Sequence, residues 1–276
     1  MIFYKYHGLG NDFIVLEDFD GKAPKGADIA RRHCHRRFGI GADGILYLSG
    51  SNKADAMMRV LNSDGSEAEM CGNGIRCAAK HLYDFGIVKK RRMRIETLAG
   101  IKEIECDVEA GQVTGVTVDM GVPMLDCEKI PMACRGRFIS EQLDVDGRYI
   151  TGTAVSMGNP HFVILQPMSD GARKEIGPRI ERHPAFPRRT NVEFADIQPD
   201  HIDLQVYERG AEWTYACGTG ACATVVAAVV NRLVPECKDT EVRLPGGSLW
   251  INVGERLSSV TMRGPAVKVY QGELPE

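Results

Sequence analysis

The 276-residue chain contains no Cys-x-x-Cys pair, which argues against a zinc ribbon or a thioredoxin-type redox site. It has no long apolar run. The most apolar stretch, Ala221 to Val230, is about half of the ~20 residues a membrane span needs, and it is read as a buried helix. Charge of one sign is not in excess: 34 Lys and Arg against 37 Asp and Glu leave a net charge of -3. Nucleic acid and anionic membrane surfaces are therefore not expected partners. The opening residues, Met1 to Tyr6, lack the three-part pattern of a signal peptide, so a reducing cytoplasm and no disulfide framework are expected.

What the chain does have is nine cysteines, and a phrase containing one of them occurs twice. Cys71-Gly72-Asn73-Gly74 and Cys217-Gly218-Thr219-Gly220 each open a stretch with a helical pattern. A helix N-terminus carries unpaired N–H groups and positive potential, which favour anions and thiolates. The glycines let the backbone approach a ligand closely. By contrast, Cys106, Cys127, Cys134 and Cys237 are read as small core residues, and Cys77 and Cys222 as core-facing positions within the two helices.

The two phrases belong to a longer repeat. Gly10-Asn11-Asp12-Phe13 is echoed by Gly158-Asn159-Pro160-His161 at an offset of 148, Cys71 by Cys217 at 146, Gly100 by Gly247 at 147, and Val116 by Val260 at 144. Landmarks in one order at a nearly constant offset indicate an internal duplication. The expected architecture is α+β with two pseudo-symmetric domains, each a curved, largely antiparallel sheet wrapped around a central helix. The predicted division is 1–120 for the first half and 121–265 for the second, with residues 266–276 returning as a strand to complete the first.

Within the first half, short strands are predicted at Ile2–Lys5, Phe13–Leu16, Ile45–Leu48 and Ala56–Leu61. Helical spacing begins at Ile75, and Gly86 is placed to end that helix. A helix is also predicted from Asp28, near its N-cap, to Arg37, with its arginines forming a solvated face. His33-Cys34-His35 is not read as a metal site, because adjacent helical residues point in different directions.

Two thiols at equivalent helix mouths, facing one carbon from opposite sides, would invert it by general acid–base catalysis. The helix N–H groups would carry the charge that develops on an adjacent carboxylate. A redox pair is the rival use of two close thiols. Asn11, Asn62, Asn73, Asn159 and Asn191 all lie beside turn signals, where they either shape turns or hydrogen-bond an amino-acid substrate. Arg209, in Glu208-Arg209-Gly210, could hold a second carboxylate in a fork.

These motifs, together with Asn62-Ser63-Asp64-Gly65-Ser66, resemble the diaminopimelate epimerase family across almost the whole chain. The resemblance implies cofactor-independent interconversion of LL- and meso-2,6-diaminopimelate in bacterial lysine and peptidoglycan precursor synthesis, by an enzyme that is often a homodimer; neither it nor the residues call for a metal. It implies that Cys71 and Cys217 are the bases, with His161 and Glu208 assisting and Glu208 also among the substrate-binding residues. Asn11, Asn62, Asn159, Asn191 and Arg209 would hold the non-reacting end of the substrate, while Gly72, Asn73, Gly218 and Thr219 would bind the carboxylate. Two departures stand out: Gly44 where many members have Gln, and Trp213 where many have Glu. The alternative that keeps the chemistry is a pyridoxal-independent racemase of another amino acid.

Overall fold

A computed structural model describes residues 1–274. The last two positions of the predicted returning strand, 275 and 276, lie outside the described residues. The chain forms two compact units, one comprising Met1–Asp119 with the described residues from 263 on, the other Met120–Met262.

In the first unit, β1 (Ile2–Gly8) pairs antiparallel with β2 (Asn11–Glu17). Helix α1 (Ala27–Cys34) then carries the chain across to β3 (Gly44–Ser49), which lies parallel to β2. β4 (Ala56–Asn62) is antiparallel to β3 and forms a hairpin with the short β5 (Glu67–Ala68). Helix α2 (Gly72–Asp84) follows, then β6 (Arg92–Thr97), parallel to β4, and an antiparallel run through β7 (Gly100–Glu109) and β8 (Gln112–Gly121).

The second unit begins with β9 (Glu141–Val145), antiparallel to β10 (Arg148–Ser156). From β10 on it retraces the first path. β10 is antiparallel to β11 (Pro160–Ile164); α3 (Asp170–Glu181) crosses to β12 (Asn191–Ile197), which is parallel to β11. β13 (His201–Glu208) is antiparallel to β12 and to β14 (Glu212–Thr214). Helix α4 (Gly218–Val230) follows, then β15 (Thr240–Leu244), parallel to β13, and β16 (Gly247–Val253), antiparallel to β15. β17 (Val260–Gly264) comes next. The last strand, β18 (Val267–Glu273), pairs antiparallel with β1 as β9 does with β10. The repeat read from four short phrases is thus a repeat of strand pairings, parallel crossovers included.

Each parallel pair separates two layers of packing. In β3, Ile45 and Tyr47 join Ile14, Leu16, Ala30 and Cys34 in the cluster under α1. The alternation of a strand then sends Leu46 the other way, where a methyl group on Gly74 of α2 would lie 3.0 Å from its Cδ2 atom. In β12, Val192 and Phe194 pack with Ile176 and Ile180 of α3, and the residue between them is Glu193. Helix α4 packs against β10, β11, β12 and β16, and eleven of its thirteen residues are buried, as its apolar composition requires. Its one buried hydroxyl, on Thr224, bonds back to the Gly220 carbonyl at 2.8 Å. Gly86 ends α2 as expected: it adopts φ 69°, and its N–H donates to Tyr83.

Several expectations need correction. Helix α1 starts one residue before Asp28, is capped by Gly26 and stops at Cys34. Arg36 and Arg37 therefore lie in the loop that follows, and Arg36 forms ion pairs with Asp12 and Asp43 instead of facing solvent alone. Cys127 and Cys134 are not separate core fillers: a 3-10 turn at Cys127–Lys129 folds the chain back, and a disulfide joins them with their Cα atoms 5.7 Å apart. Cys237 is exposed. The core reading does fit Cys77, Cys106 and Cys222, which are buried, and burial pushes the thiols of Cys77 and Cys106 up to about 12. Among the described residues, no helix is long and apolar enough to cross a membrane.

Candidate active site

Both repeated cysteines are helix N-caps. Cys71 has φ -136° and ψ 117°, and its sulfur accepts the N–H of Gly74 at 3.4 Å. Cys217 has φ -124° and ψ 107°, and its sulfur accepts the N–H of Gly220 at 3.3 Å. In each case the side chain takes one of the helix's unpaired first-turn donors, as a Ser or Asp cap does. The sulfur therefore sits in the positive potential of the mouth. The first-turn amides of Gly72 and Asn73, and of Gly218 and Thr219, belong to the same two mouths.

Cys71 is half-buried, and amide groups lie against it, with a cation behind them. The thiol lies 3.7 Å from Asn11 Oδ1, and Asn73 Nδ2 donates to that same oxygen at 3.1 Å. Asn11 Nδ2 donates to Asp43 at 2.8 Å, which ties it to the loop before β3. Asp43 in turn accepts from the Asp12 N–H and from Arg36. Burial works against the charge of Asp12, but Arg36 and Lys5 prevail and hold its carboxyl at about 2. Behind Asn73 lies Arg76, fully buried, which donates to Asn73 Oδ1 at 2.9 Å, Gly72 O at 3.1 Å and Pro265 O at 3.2 Å. Asn62 is exposed at the end of β4 and donates to Ser66 Oγ at 3.0 Å.

Cys217 is only 5% exposed, and a hydroxyl lies against it at the head of a chain of amide, imidazole and carboxyl groups. Thr219 Oγ1 lies 3.5 Å from the sulfur and accepts from Asn159 Nδ2 at 3.4 Å. Asn159 Oδ1 lies 3.0 Å from His161 Nε2, and His161 Nδ1 lies 2.7 Å from Glu193 Oε1. Burial raises the Cys217 thiol well above its ordinary value. The charge of Glu208 adds to the rise, while Thr219 and the Gly220 N–H oppose it. Cys217 is thus held as a thiol at neutral pH.

The remaining expected residues stand at the start of β12 and the end of β13. Asn191 is buried; its Nδ2 donates to Pro160 O at 2.9 Å and its Oδ1 accepts the backbone N–H of Arg209 at 2.9 Å. It stitches β11 to the end of β13 and so positions Arg209, whose exposed guanidinium donates to Arg188 O. Glu208 accepts from Thr214 Oγ1. Trp213, on β14, rests its ring against Tyr207 and Phe194, 5.4 and 5.7 Å between centroids. At Gly44, any side chain would meet the Leu61 carbonyl at 2.6 Å, so the β3–β4 pairing itself demands glycine on this backbone. Two site neighbours escaped the sequence reading: Arg76, an arginine inside an apolar helix face, and Glu193, a lone acid in the strand Asn191–Ile197. A charged residue amid a buried apolar pattern was the available signal for both.

The duplicated fold is shared with known epimerase structures. It superposes on a hydroxyproline epimerase from Agrobacterium vitis, crystallised with trans-4-hydroxy-L-proline, with a TM-score of 0.70 over 99% of this chain and 90% of that one, at 18% identity. A PhzF-family phenazine biosynthesis protein from Bacillus anthracis superposes with a TM-score of 0.68 over 100% and 99%, at 16% identity. Sequence similarity is more specific. The model of the family described as diaminopimelate epimerase matches residues 3–125 and 153–269. Diaminopimelate epimerases from Desulfitobacterium hafniense and Heliobacterium modesticaldum are each 50% identical to the chain, over 99% and 100% of it and 97% and 100% of their own lengths. The chain belongs to the diaminopimelate epimerase family.

Proposed function

We propose that the chain interconverts LL- and meso-2,6-diaminopimelate without a cofactor, with Cys71 and Cys217 as the bases on opposite faces of the reacting Cα. The observation that carries this reading is the equivalence of the two cysteines: both cap helices with the same backbone conformation, at the same place in a repeated fold. In one direction a thiolate takes the Cα proton, forming S–H as C–H breaks. The thiol on the other face delivers its own proton to the carbanion, so configuration inverts and the proton count is unchanged. The buried thiol form of Cys217 suits it to be the donor in one direction. The enediolate charge falls on the substrate carboxylate, where the first-turn N–H groups of Gly72, Asn73, Gly218 and Thr219 would receive it.

His161 and Glu208 assist the thiols in this scheme. The distal amino-acid end is assigned to Asn11, Asn62, Asn159, Asn191 and Arg209, the last as a guanidinium fork for its carboxylate. The family and the full-length relatives support diaminopimelate as substrate. The cellular setting that goes with it is the cytoplasmic supply of lysine and peptidoglycan precursors, by a homodimer. The test is incubation of the purified chain with LL-diaminopimelate and separation of stereoisomers, with L-proline and trans-4-hydroxy-L-proline run in parallel. Appearance of the meso isomer alone supports the reading. Inversion of a proline and none of diaminopimelate would move the chain to a racemase with the same two-thiol chemistry.

A further inference from the structure

Glu193 is fully buried, and its two oxygens are treated differently. Oε1 is 2.7 Å from His161 Nδ1, while Oε2 has no hydrogen-bond partner among the described residues. As a carboxylate it would leave an anionic oxygen buried without a donor, a costly arrangement. Burial raises its pKa and nearby Glu208 raises it further, against the opposing pull of His161. The neighbours define where the proton goes. His161 Nε2 faces Asn159 Oδ1, which can only accept, so Nε2 carries hydrogen. In a neutral ring Nδ1 is then an acceptor, and among the described residues Glu193 is the group set against it as a donor. Beyond Asn159 the direction continues. Its Nδ2 donates to Thr219 Oγ1, which frees the hydroxyl hydrogen for the Cys217 sulfur.

The same place in the first unit carries nothing of the kind. In the parallel strand pairs, Phe13 is matched with Gly44, and His161 with Asn191. Leu46 therefore stands where Glu193 does, and Phe13 where His161 does. A methyl group on Gly74 would meet Leu46, while one on Gly220 would meet Glu193 Oε1 at 2.9 Å and Cys217 Sγ at 3.2 Å. The fold does not need an acid at this position; the mouth holding Cys217 has one.

We propose that Glu193 is a positioning residue for Cys217: its protonated carboxyl donates to His161 Nδ1, fixes the Nε2–H tautomer on Asn159, and thereby turns the Thr219 hydroxyl toward the sulfur as a donor. The proposal rests on the reading of Cys217 as one of the two bases. The titratable groups that face Glu193 are His161 on β11, Glu208 on β13 and Cys217 at the mouth of α4.

The test uses the full chain with Glu193→Gln and with Glu193→Leu, the residue the first unit carries. A Gln amide donates to Nδ1 as the protonated acid does; Leu cannot. The alkylation rate of Cys217 by iodoacetamide against pH, resolved by peptide mass spectrometry, reads the thiol without substrate, and kcat on diaminopimelate reads turnover. Glu193→Gln is expected to keep the wild-type alkylation profile. Glu193→Leu is expected to move it upward by about half a pH unit and to lower kcat about tenfold, the effect of one lost hydrogen bond. A Gln variant shifted as far as the Leu variant, or a Leu variant that behaves as wild type, overturns the proposal. Nitrogen-15 spectra of the wild-type protein give an answer that does not depend on any variant folding. A proton on Nε2 of His161 alone supports the assignment, and protons on both ring nitrogens, or on Nδ1 alone, overturn it. A wild-type protein with these signatures that left diaminopimelate untouched would remove the substrate assignment and leave the role of Glu193 standing.

Discussion

Cys71 and Cys217 stand at the same step of a repeated chain path, each taking the N–H three residues on. The side chains around them have opposite character. Near Cys71 are Leu46, Asn11, Asn73 and the buried guanidinium of Arg76. Near Cys217 are Thr219, Asn159, His161, Glu193 and Glu208. At the repeat offset of 146, the counterpart of Arg76 is Cys222, which is fully buried. The repeat has the same backbone presenting a thiol in both units and different side chains around it. One mouth has gained a cation and the other a chain of acids and donors. For the reaction proposed above, in which one thiol begins as base and the other as acid, such a divergence is useful.

The comparison breaks most easily at the sulfurs. Cys71→Ala and Cys217→Ala are each expected to lower kcat for epimerisation by at least about 10³-fold, the scale of a lost general acid or base, with circular dichroism unchanged. Retention of normal turnover by either variant would take that cysteine out of the mechanism. The next largest effect separates the mouths. Gly220→Ala places a methyl group 2.9 Å from Glu193 Oε1 and 3.2 Å from Cys217 Sγ, both held in place by burial and hydrogen bonds. Gly74→Ala meets the flexible end of Leu46 at 3.0 Å and the Cys71 sulfur at 3.6 Å. The first should cost about tenfold or more in kcat/KM and the second distinctly less, a displaced reacting group being the expensive case. Equal losses would deny that the two floors differ.

The skeleton of this account was legible in the chain. Offsets between Gly10 and Gly158, and between Cys71 and Cys217, reflect real pairings, because a glycine turn and an N-capped helix leave short, fixed phrases. The boundary residues of α1 were less legible. Its N-cap is a glycine with no side-chain bond, and its arginines continue past its end. The Cys127–Cys134 bridge was hidden because a spacing of seven residues says nothing until a turn brings the ends together. Arg76 and Glu193 were hidden for a related reason. Each is one charged residue inside an apolar element, and only the fold shows which acceptors or donors lie against it.

Two smaller effects sharpen the contrast. Arg76→Met leaves the Gly72 and Pro265 carbonyls and Asn73 Oδ1 without this donor in a buried site. A loss of about 3 kcal/mol in unfolding free energy is expected by urea denaturation, and an unchanged midpoint would show that the cation is not needed. Glu208→Gln removes a negative charge that, after burial, raises the Cys217 thiol. Its thiol should therefore ionise at lower pH, and the alkaline side of the kcat profile should move to lower pH by up to about one unit. A shift to higher pH would reverse the sign of the electrostatics assigned to this mouth.

The most direct test of two bases on two faces is the fate of hydrogen at the inverted carbon. LL-diaminopimelate is turned over in heavy water to low conversion, and the deuterium at each Cα is read by mass spectrometry and NMR. One solvent deuteron is expected at the inverted centre of the meso product, because the thiol that delivers it is not the one that took the original proton. Meso product that keeps its original hydrogen at that centre would contradict it.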